Sequence, residues 1–528
     1  MFTPVKLKNL LNSLKEMSLI DLREEGEFGK EHILLATSLP FTQLELRIDG
    51  LVPNKQTQII LMDQCDEAIP QLAKKLLNKW NYRNVEILKG GLEEWKKTGN
   101  ETYSGVNVPS KAFGEYVEKT YKTPSLKAQE LKKLIEDEKD ILIFDARPFD
   151  EYQRMSIPGA IDAPGVELVN RAPSLITNPN TQIIVNCAGR TRSIIGAQSL
   201  INIGLPNPIY ALENGTMGWH LSGYQLEKGA TMYAQNSSTK QKQRLRELVE
   251  KLVQKYKVEF LDYDSFLNMQ RAEKYSNLFF FDIRSPEEYL RAHIRGSRNA
   301  PGGQLVQATD KYIGVRNSKI VLVDDTETRS IMTASWLIQM GWTNVYVLKN
   351  GITKNPDLTT APFKPKIYGE PSSRSISPGE LKSLLKNNQC FLIDIDTSLK
   401  YREGHIPGSY WSLRSSLKKE ISKIVKYNKV VITSHDGVLA SLATRDIENN
   451  QPDKEIFFLK GGTNEWKENK YITETKNPQF LCDTIDVQYK PYDHSEDTKK
   501  LMTEYLDWEV NLLDQININN SLTFPKFN

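Results

Sequence analysis

The chain has 528 residues, more than the ~250–300 that one hydrophobic core organises, so several domains of ~100–150 residues are expected. Its 39% hydrophobic and 26% charged residues exclude wholesale disorder and a fibrous architecture. With 69 basic and 66 acidic residues, the net charge of +3 gives no electrostatic footprint for nucleic acid or anionic lipid, so neither is an expected partner.

Hydropathy and cysteine content favour a cytoplasmic protein. No apolar run approaches the ~18 residues of a spanning helix, and lysines interrupt the N-terminal segment before a signal-type stretch forms. Four cysteines, Cys65, Cys187, Cys390 and Cys482, are too few to staple several domains and include no C-x-x-C pair. The histidines lack metal-ligand spacing. We therefore predict reduced thiols, no metal and no other cofactor.

A short apolar strand that ends in aspartate occurs four times along the chain. The four aspartates are Asp21, Asp145, Asp282 and Asp394. A second apolar strand follows each one, and the residue that closes it lies 42 residues after the aspartate in three copies and 40 in the fourth. A later Gly-x-x-x-Trp segment ends at Trp95, Trp219 and Trp466, and is degenerate around Gly351. This periodicity predicts four tandem repeats.

Helix-length segments such as 68–80 and 192–203 separate the strands. Alternation of β-runs with helices predicts an α/β fold in which each repeat is a small parallel sheet covered by helices on both faces. The predicted divisions are repeat 1 at 1–105, repeat 2 at 118–230, a connecting helix at 231–257, repeat 3 at 255–360, repeat 4 at 372–478 and a C-terminal extension at 479–528.

Two helices are predicted outside the repeats. Leu245, Leu248, Leu252 and Val253 have helical spacing in the connecting segment, which we interpret as orienting two pairs of domains. The C-terminal extension carries apolar residues around Trp508 at helical spacing, and this amphipathic helix is expected to pack back on the body. The pattern indicates no function for the extension.

The loop after each second strand is the candidate site, because ligands of open α/β sheets bind beyond the carboxyl ends of the strands. The first residue of this loop is Asp63 in repeat 1, Cys187 in repeat 2, Asp324 in repeat 3 and Ser434 in repeat 4. A cysteine can act as a covalent nucleophile, so repeat 2 is predicted to be the active one. Its predicted substrate-binding loop continues from Cys187 through Ala188, Gly189, Arg190, Thr191, Arg192 and Ser193.

The surroundings of Cys187 in the sequence suit thiolate chemistry. Consecutive backbone N–H groups, a helix N-terminus near Ser193, and the guanidinium groups of Arg190 and Arg192 are all expected to stabilise negative charge at its Sγ. The thiolate is the nucleophilic form of cysteine. Cys187 is therefore the predicted catalytic residue, and the alternative is a buried, inert thiol.

Repeat 2 resembles the rhodanese (sulfurtransferase) family in the order of its motifs. These are Asp-x-Arg from Asp145, Glu-Tyr from Glu151, Ile-Pro-Gly from Ile157, Cys-x4-Arg from Cys187 and Gly-x3-Trp ending at Trp219. The whole chain is similar to bacterial multi-domain proteins with four tandem rhodanese domains. The resemblance implies a persulfide on Cys187, loaded by a sulfur donor and passed to a nucleophilic acceptor.

The predicted function is transfer of sulfane sulfur from an anionic donor, thiosulfate or a related persulfide, to a thiol or cyanide. The two loop arginines favour an anionic donor. Expected partners are a small-molecule donor and a thiol acceptor, with a thiol-bearing protein as an alternative. The oligomeric state is not predicted.

Two other functions compete with sulfur transfer. Phosphatases of the dual-specificity cell-cycle type and arsenate reductases have a similar fold, but their loop places arginine sixth after cysteine. Here Arg192 is fifth and Ser193 is sixth, and the shorter loop favours a single sulfur atom. Because three repeats lack the cysteine, a mainly non-catalytic scaffold or binding protein is the second alternative. We interpret repeats 1, 3 and 4 as supports for repeat 2.

Several other residues receive structural interpretations. Cys65 lies among Asp63, Asp66 and Glu67, which disfavour its thiolate, so it is interpreted as an exposed thiol without a catalytic role. The alternative is that it resolves a persulfide. Cys390 and Cys482 are interpreted as packing residues.

Charged pairs are also interpreted structurally. In each repeat, two residues four apart are predicted to form a structural ion pair: Arg23 with Glu27, Arg147 with Glu151, Arg284 with Glu288 and, with the charges exchanged, Asp396 with Lys400. Arg316 and Arg329 in repeat 3 are predicted to be surface charges.

Overall fold

The computed structural model describes residues 2–65, 67–272, 276–354, 357–448, 451, 453–519 and 522–527. Along these residues, four α/β units follow one another, each built around a mainly parallel sheet with helices on both faces, so the predicted fold class is confirmed. None of the helices in this part of the chain combines the length and apolar character that crossing a membrane requires.

Repeat 1 begins close to the N-terminus. Its central strands are buried because helices cover both faces of the sheet, which explains their nearly continuous apolar sequence. The strands lie in the spatial order Thr37–Ser38, Met17–Asp21, Gln58–Met62 and Asn84–Ile87, with parallel neighbours. The helices are Pro4–Leu11, Glu25–Lys30, Leu44–Leu51, Ala68–Lys79 and Gly91–Lys97, with a 3-10 turn at Phe41–Gln43.

Repeat 2 has the same arrangement with one more edge strand. The strands lie in the order Ser125–Leu126, Ile209–Leu212, Gln182–Asn186, Ile141–Asp145 and Ile161–Asp162, again with parallel neighbours. The helices are Ala128–Glu136, Phe149–Arg154, Glu167–Arg171, Thr191–Asn202 and Gly215–Leu221, with a 3-10 turn at Ala172–Ser174.

Repeat 3 follows the topology of repeat 2. The strands lie in the order Glu259–Leu261, Val345–Leu348, Lys319–Val323, Leu278–Asp282 and Arg298–Asn299. A separate antiparallel pair joins His293–Ile294 to Leu358–Thr359. The helices are Tyr263–Ala272, Pro286–Arg291, Gly302–Gln307, Thr309–Tyr312 and Thr328–Gln339, with a 3-10 turn at Ile352–Lys354.

Repeat 4 extends its sheet with a strand from beyond its predicted end at residue 478. The strands lie in the order Ser375–Ile376, Glu455–Leu459, Lys429–Thr433, Phe391–Asp394, Ser409–Trp411 and Gln479–Phe480. The helices are Pro378–Lys386, Ser398–Glu403, Leu417–Ser422, Val438–Ile447 and Gly462–Glu468, with a 3-10 turn at Arg414–Ser416. The strand Gln479–Phe480 pairs in parallel with Ser409–Trp411, so the start of the C-terminal extension belongs to this sheet.

Three further helices connect or cover the repeats. Val108–Tyr121 joins repeats 1 and 2, and the boundary predicted at residue 118 falls inside it. Thr239–Tyr256 is the predicted connecting helix, and its buried face includes Leu245 and Leu252. Thr498–Asn519, preceded by a 3-10 turn at Pro491–Asp493, packs on the body as predicted.

A single hydrophobic core runs through repeats 1, 2 and 3 and the C-terminal helix. It includes Ile48 from repeat 1, Leu200 from repeat 2, Trp336 from repeat 3, Phe113 from the first linking helix and Leu512 from the C-terminal helix. Shared burial of apolar surface fixes their relative positions. Repeat 2 thus shares part of its core with the neighbouring units, while a separate apolar cluster that includes Leu131 and Ile184 lies within the repeat itself.

Candidate active site

Cys187 lies directly after the central strand Gln182–Asn186, and the helix Thr191–Asn202 begins four residues later. The cysteine is 2% exposed. Its thiol donates to Ser193 Oγ at 3.6 Å, and the Ser193 hydroxyl donates to the carbonyl oxygen of Arg190 at 2.7 Å. Strand, loop and helix N-terminus therefore present a thiol where the helix dipole favours negative charge.

The segment that begins at Gly215 is hydrogen-bonded to the backbone of the Cys187 loop. Thr216 N–H donates to the carbonyl oxygen of Cys187 at 2.8 Å, and Met217 N–H donates to that of Ala188 at 3.0 Å. Gly215 has a φ of +53°, and a Cβ there would lie 2.2 Å from the Cys187 carbonyl oxygen. This close approach explains the glycine of the Gly-x-x-x-Trp motif.

Arg192 forms a bidentate ion pair with Glu151, with N–O distances of 3.0 and 2.8 Å. Burial acts to raise the pKa of Glu151, but Arg192 lowers it well below the usual range of a carboxyl group. Cys187 is close enough to interact electrostatically with this guanidinium. Arg192 is therefore the cation that can stabilise charge on the sulfur.

The predicted pairing of residues four apart is wrong in repeats 1, 2 and 3, whereas in repeat 4 Lys400 Nζ lies 3.9 Å from Asp396 Oδ1 as predicted. Arg147 instead bonds Asp145, the strand aspartate, at 2.9 and 2.7 Å. Glu151 is thereby left for Arg192 of the loop. A helical i,i+4 argument fails here because Arg147 lies before the helix Phe149–Arg154 and its side chain turns back to the strand.

Arg190 was expected to stabilise negative charge on Cys187, but its guanidinium group is bonded to two carboxylates instead. Its guanidinium bonds both carboxylate oxygens of Glu115 at 2.7 and 2.9 Å and also pairs with Glu118. Both acids lie on the helix Val108–Tyr121. Arg190 thus anchors the loop to the linking helix.

The C-terminal extension covers the loop, a role that the sequence pattern did not reveal. Thr191 Oγ1 donates to Glu509 Oε1 at 2.7 Å, and Lys111 lies 3.4 Å from the same oxygen. Lys111 also hydrogen-bonds Tyr505. A Cβ on Gly189 would lie 3.0 Å from Glu509 Oε2, so the loop glycine permits this contact. In the sequence, the available signal was the position of Glu509, which falls at helical spacing on the apolar face that also carries Leu506 and Leu513.

A cavity of about 620 Å³ opens beside Cys187. The linking helix, repeat 3 and the C-terminal extension all contribute to its wall. The lining residues include Lys111, Arg192, Gln307, Tyr492, Tyr505 and Glu509. The site of repeat 2 is therefore completed by distant parts of the chain.

In repeats 1 and 4, the first side chain of the loop accepts a hydrogen bond from a nearby backbone N–H group. Asp63 Oδ1 accepts the N–H of Gln64 at 2.6 Å, and Ser434 Oγ accepts the N–H of Ala440 at 3.1 Å. Arg23 of repeat 1 donates to Gln64 Oε1 at 2.7 Å. Neither loop offers a sulfur nucleophile at the position of Cys187.

In repeat 3, the prediction that Arg316 and Arg329 are surface charges is wrong. Arg329 is 0% exposed and pairs with Glu167, Glu288 and Asp325. Arg316 is half-buried over the ring of Trp342, and burial lowers its pKa to about 10. The contacts of Arg329 with repeat 2 could not be anticipated from local sequence.

The remaining cysteines lie away from the Cys187 cavity wall. Cys65 is exposed, while Asp66, which figured in its interpretation, lies outside the described residues. Cys390 is buried in repeat 4, and burial raises the pKa of its thiol to about 11. Cys482 Sγ accepts the N–H of Leu413 at 3.2 Å. Packing explains the last two.

Comparison with known proteins agrees with this architecture. A family model for the Rhodanese-like domain matches residues 3–98, 127–222, 262–354 and 377–469. The crystal structure of a thiosulfate sulfurtransferase from Pseudomonas aeruginosa is 39% identical, covers 100% of this chain and 99% of that one, and has a TM-score of 0.92. A putative sulfur carrier protein, YrkF of Bacillus subtilis, is 25% identical over 126 residues, which are 22% of this chain and 67% of that protein.

Proposed function

We propose that this chain, which belongs to the rhodanese-like family, transfers sulfane sulfur through a persulfide on Cys187. The chain is a rhodanese-type sulfurtransferase by its full-length similarity and its four family matches. The observation that carries the persulfide proposal is the position of Cys187 in a cavity at a helix N-terminus, with Arg192 beside it. The other three repeats have Asp63, Asp324 or Ser434 there.

The proposed donor is thiosulfate, which the name of the similar Pseudomonas aeruginosa enzyme contains. The Cys187 thiolate attacks the outer sulfur of thiosulfate, and the S–S bond of the donor breaks. Sulfite leaves with the electron pair, and the outer sulfur remains on Cys187 as a persulfide. Arg192 stabilises the negative charge near the sulfur during this step. A thiol or cyanide then removes the outer sulfur.

Intact-mass measurement tests the persulfide. After incubation with thiosulfate, the wild-type protein should gain one sulfur atom that cyanide or a thiol removes. Cys187→Ser should show no adduct. Cys65→Ser, the matched change at the exposed cysteine of repeat 1, should retain it. An adduct that persists in Cys187→Ser, or disappears in Cys65→Ser, would contradict a single carrier.

Donor and reaction class are tested on the same protein. Steady-state rates with thiosulfate, glutathione persulfide and mercaptopyruvate should be highest for thiosulfate. Hydrolysis of an aryl phosphate should not exceed the rate of Cys187→Ser, because the loop places Ser193 rather than arginine sixth after the cysteine. Turnover of the phosphate that requires Cys187 would overturn the sulfur assignment.

A further inference from the structure

A short segment of the C-terminal extension, residues 488–492, forms part of the cavity wall beside Cys187. It runs between the sheet of repeat 4 and the helix Thr498–Asn519, and repeat 1 fixes its start. Gly26 N–H donates to the carbonyl oxygen of Ile485 at 2.9 Å, and Glu25 Oε1 accepts the N–H of Gln488 at 3.3 Å. The family model for the Rhodanese-like domain does not match this segment. Its side chains are therefore an addition to the cavity from outside the four matched repeats.

Lys490 of this segment lies beside the ion pair of Arg192 and Glu151. Its Nζ is 3.8 Å from Glu151 Oε1, and its side chain is 50% exposed. Glu151 already accepts N–H groups of Arg192 on both oxygens, at 3.0 and 2.8 Å. Asp493, the other acid that acts on Lys490, is paired with Arg154 at 2.8 Å. Among the described residues, Lys490 thus has no carboxylate of its own, and its half-exposed side chain lines the cavity.

The charged groups around Arg192 leave a surplus of positive charge. Lys490 is close enough to Arg192 and Lys111 to interact with both electrostatically. Two carboxylates compensate these three cations, since Glu151 pairs with Arg192 and Glu509 with Lys111. The surplus charge lies on the side of the cavity that Lys490 lines, where it attracts a dianion such as thiosulfate or sulfite.

Tyr492 supplies a hydrogen-bond donor to the same region. Its ring packs in an apolar cluster with Ala188 of the Cys187 loop and with Met217, and the side chain interacts electrostatically with Arg192. Burial raises the pKa of the Tyr492 phenol, so the hydroxyl keeps its proton. In the described part of the chain, this hydroxyl has no hydrogen-bond partner and is not fully buried. It is therefore free to donate to an anion in the cavity that Tyr492 lines.

We propose that Lys490 and Tyr492 of the C-terminal extension bind the sulfonate oxygens of the thiosulfate donor, while Arg192 acts at the reacting sulfur. The proposal rests on the proposed persulfide of Cys187 and names the residues that select a donor with a sulfonate group. When the S–S bond of the donor breaks, sulfite leaves as a dianion, and the same two groups compensate its charge until it dissociates. Repeat 2 by itself is then an incomplete donor site.

The thiosulfate dependence of persulfide formation tests the proposal. Lys490→Met removes the charge at similar length. It should raise the thiosulfate concentration for half-maximal single-turnover sulfite release about tenfold, the lower end expected for a hydrogen bond to a charged group. The rate at saturating thiosulfate should change by less than about threefold, because Arg192 remains beside the sulfur. A lower saturating rate with unchanged half-saturation would contradict a binding role.

Sulfate gives a second readout that does not depend on turnover of the bound ion. It is a dianion with the oxygens of a sulfonate but has no sulfur that can load Cys187. Its inhibition constant in competition with thiosulfate should rise about tenfold in Lys490→Met. An inhibition constant equal to that of the wild type would overturn the assignment of Lys490 to the sulfonate oxygens.

Further variants separate binding from a structural role. Lys490→Arg keeps the charge and should hold the half-saturating thiosulfate concentration within about threefold of the wild type. Tyr492→Phe keeps the ring against Ala188 and should raise that concentration about three- to tenfold. Lys119→Met is the matched control. Its side chain is also 50% exposed and also joins the body to the C-terminal extension, through Asp514 at 2.9 Å, but lies outside the cavity wall. An equal rise in Lys119→Met would show that any loosening of the extension produces the effect.

The two proposals fail in different ways. If thiosulfate leaves no sulfur on Cys187 of the wild type, the proposed function itself is wrong, and the role of the extension falls with it. If the adduct forms and half-saturation is the same in Lys490→Met, Tyr492→Phe and wild type, only the role of the extension is overturned. Thermal unfolding of each variant identifies loss of folding, and Lys490→Gln then replaces a Lys490→Met that does not fold.

Discussion

The loops of repeats 2 and 3 share a glutamate–arginine ion pair but begin with different groups. In each, a glutamate on the helix after the first central strand pairs with a loop arginine, Glu151 with Arg192 and Glu288 with Arg329. Repeat 2 begins the loop with a thiol. Repeat 3 begins it with Asp324, whose carboxylate oxygens accept N–H groups of its own loop at 2.5, 2.8 and 3.4 Å.

The difference between the two loops lies in the group at their first position. In repeat 2 this group is the thiol of Cys187, and in repeat 3 it is a carboxylate. In repeat 3, Asp324 supplies the anion itself, and burial raises the pKa of that carboxyl group. Arg329 is also bonded to Asp325 and to Glu167 of repeat 2. The loop of repeat 3 thus forms an ion pair with repeat 2 through Arg329 and Glu167.

The largest expected effect is on stability, from Arg329→Leu. This change removes a fully buried guanidinium from Glu167, Glu288 and Asp325, and breaking a buried ion pair costs ~3–5 kcal/mol. Arg171 and Lys242 still pair with these acids, but both cations are partly exposed. Arg192→Leu should cost clearly less, because Glu151 is partly exposed and lies 3.8 Å from Lys490. Urea unfolding of both variants measures the difference. Equal losses would mean that the two arginines have the same structural role.

The next effect is on the rate of persulfide formation. Arg192→Ala should slow sulfite release from thiosulfate about ten- to a hundredfold, since a hydrogen bond to a charged group contributes ~1.5–3 kcal/mol. Arg190→Ala should slow it less, because its guanidinium faces Glu115 and Glu118. Single-turnover sulfite release measures both. A larger effect from Arg190→Ala would contradict the roles assigned to these residues.

A smaller effect concerns the pH dependence of stability. Burial and then Asp145 raise the pKa of Asp162 from 3.8 to about 8. Repeat 3 has Asn299 at this position, and its Nδ2 donates to the carbonyl oxygens of Asp282 and Arg284 at 3.2 and 2.9 Å.

The folded state therefore holds the Asp162 proton to higher pH than the unfolded chain does. The free energy of unfolding of the wild type should fall relative to that of Asp162→Asn as the pH rises from about 4 to about 8. Denaturant unfolding across this range measures the trend. A difference that does not change with pH would show that the carboxyl group ionises normally.

The smallest expected effect is from Asp324→Cys, which places a thiol at the position that corresponds to Cys187. Sulfur loading should remain at one atom per chain, because Arg329 stays compensated by three carboxylates and the Cys187 cavity belongs to repeat 2. Intact mass after thiosulfate treatment gives the stoichiometry. A second sulfur atom would show that a cysteine alone restores a degenerate repeat.

The sequence patterns predicted the positions of key residues better than the partners of those residues. The strand aspartates and the equivalent positions Asp63, Cys187, Asp324 and Ser434 were located by spacing alone, since each repeat keeps the same strand–helix order. Of the charged pairs, only that of Asp396 with Lys400 was located correctly. Arg147 was assigned to Glu151, whereas it bonds Asp145, because local spacing does not report how a side chain turns at the end of a strand.

The sequence by itself determined the four-repeat α/β fold and the one loop that begins with a cysteine, because strand burial and loop order are local properties that recur at a fixed period. Only the tertiary structure decided what surrounds Cys187. The contacts of Thr191 with Glu509 and of Arg329 with Glu167 join residues 318 and 162 positions apart. Such contacts form because one apolar core packs repeats 1, 2 and 3 with the C-terminal helix, and no local pattern encodes which polar groups that packing brings together.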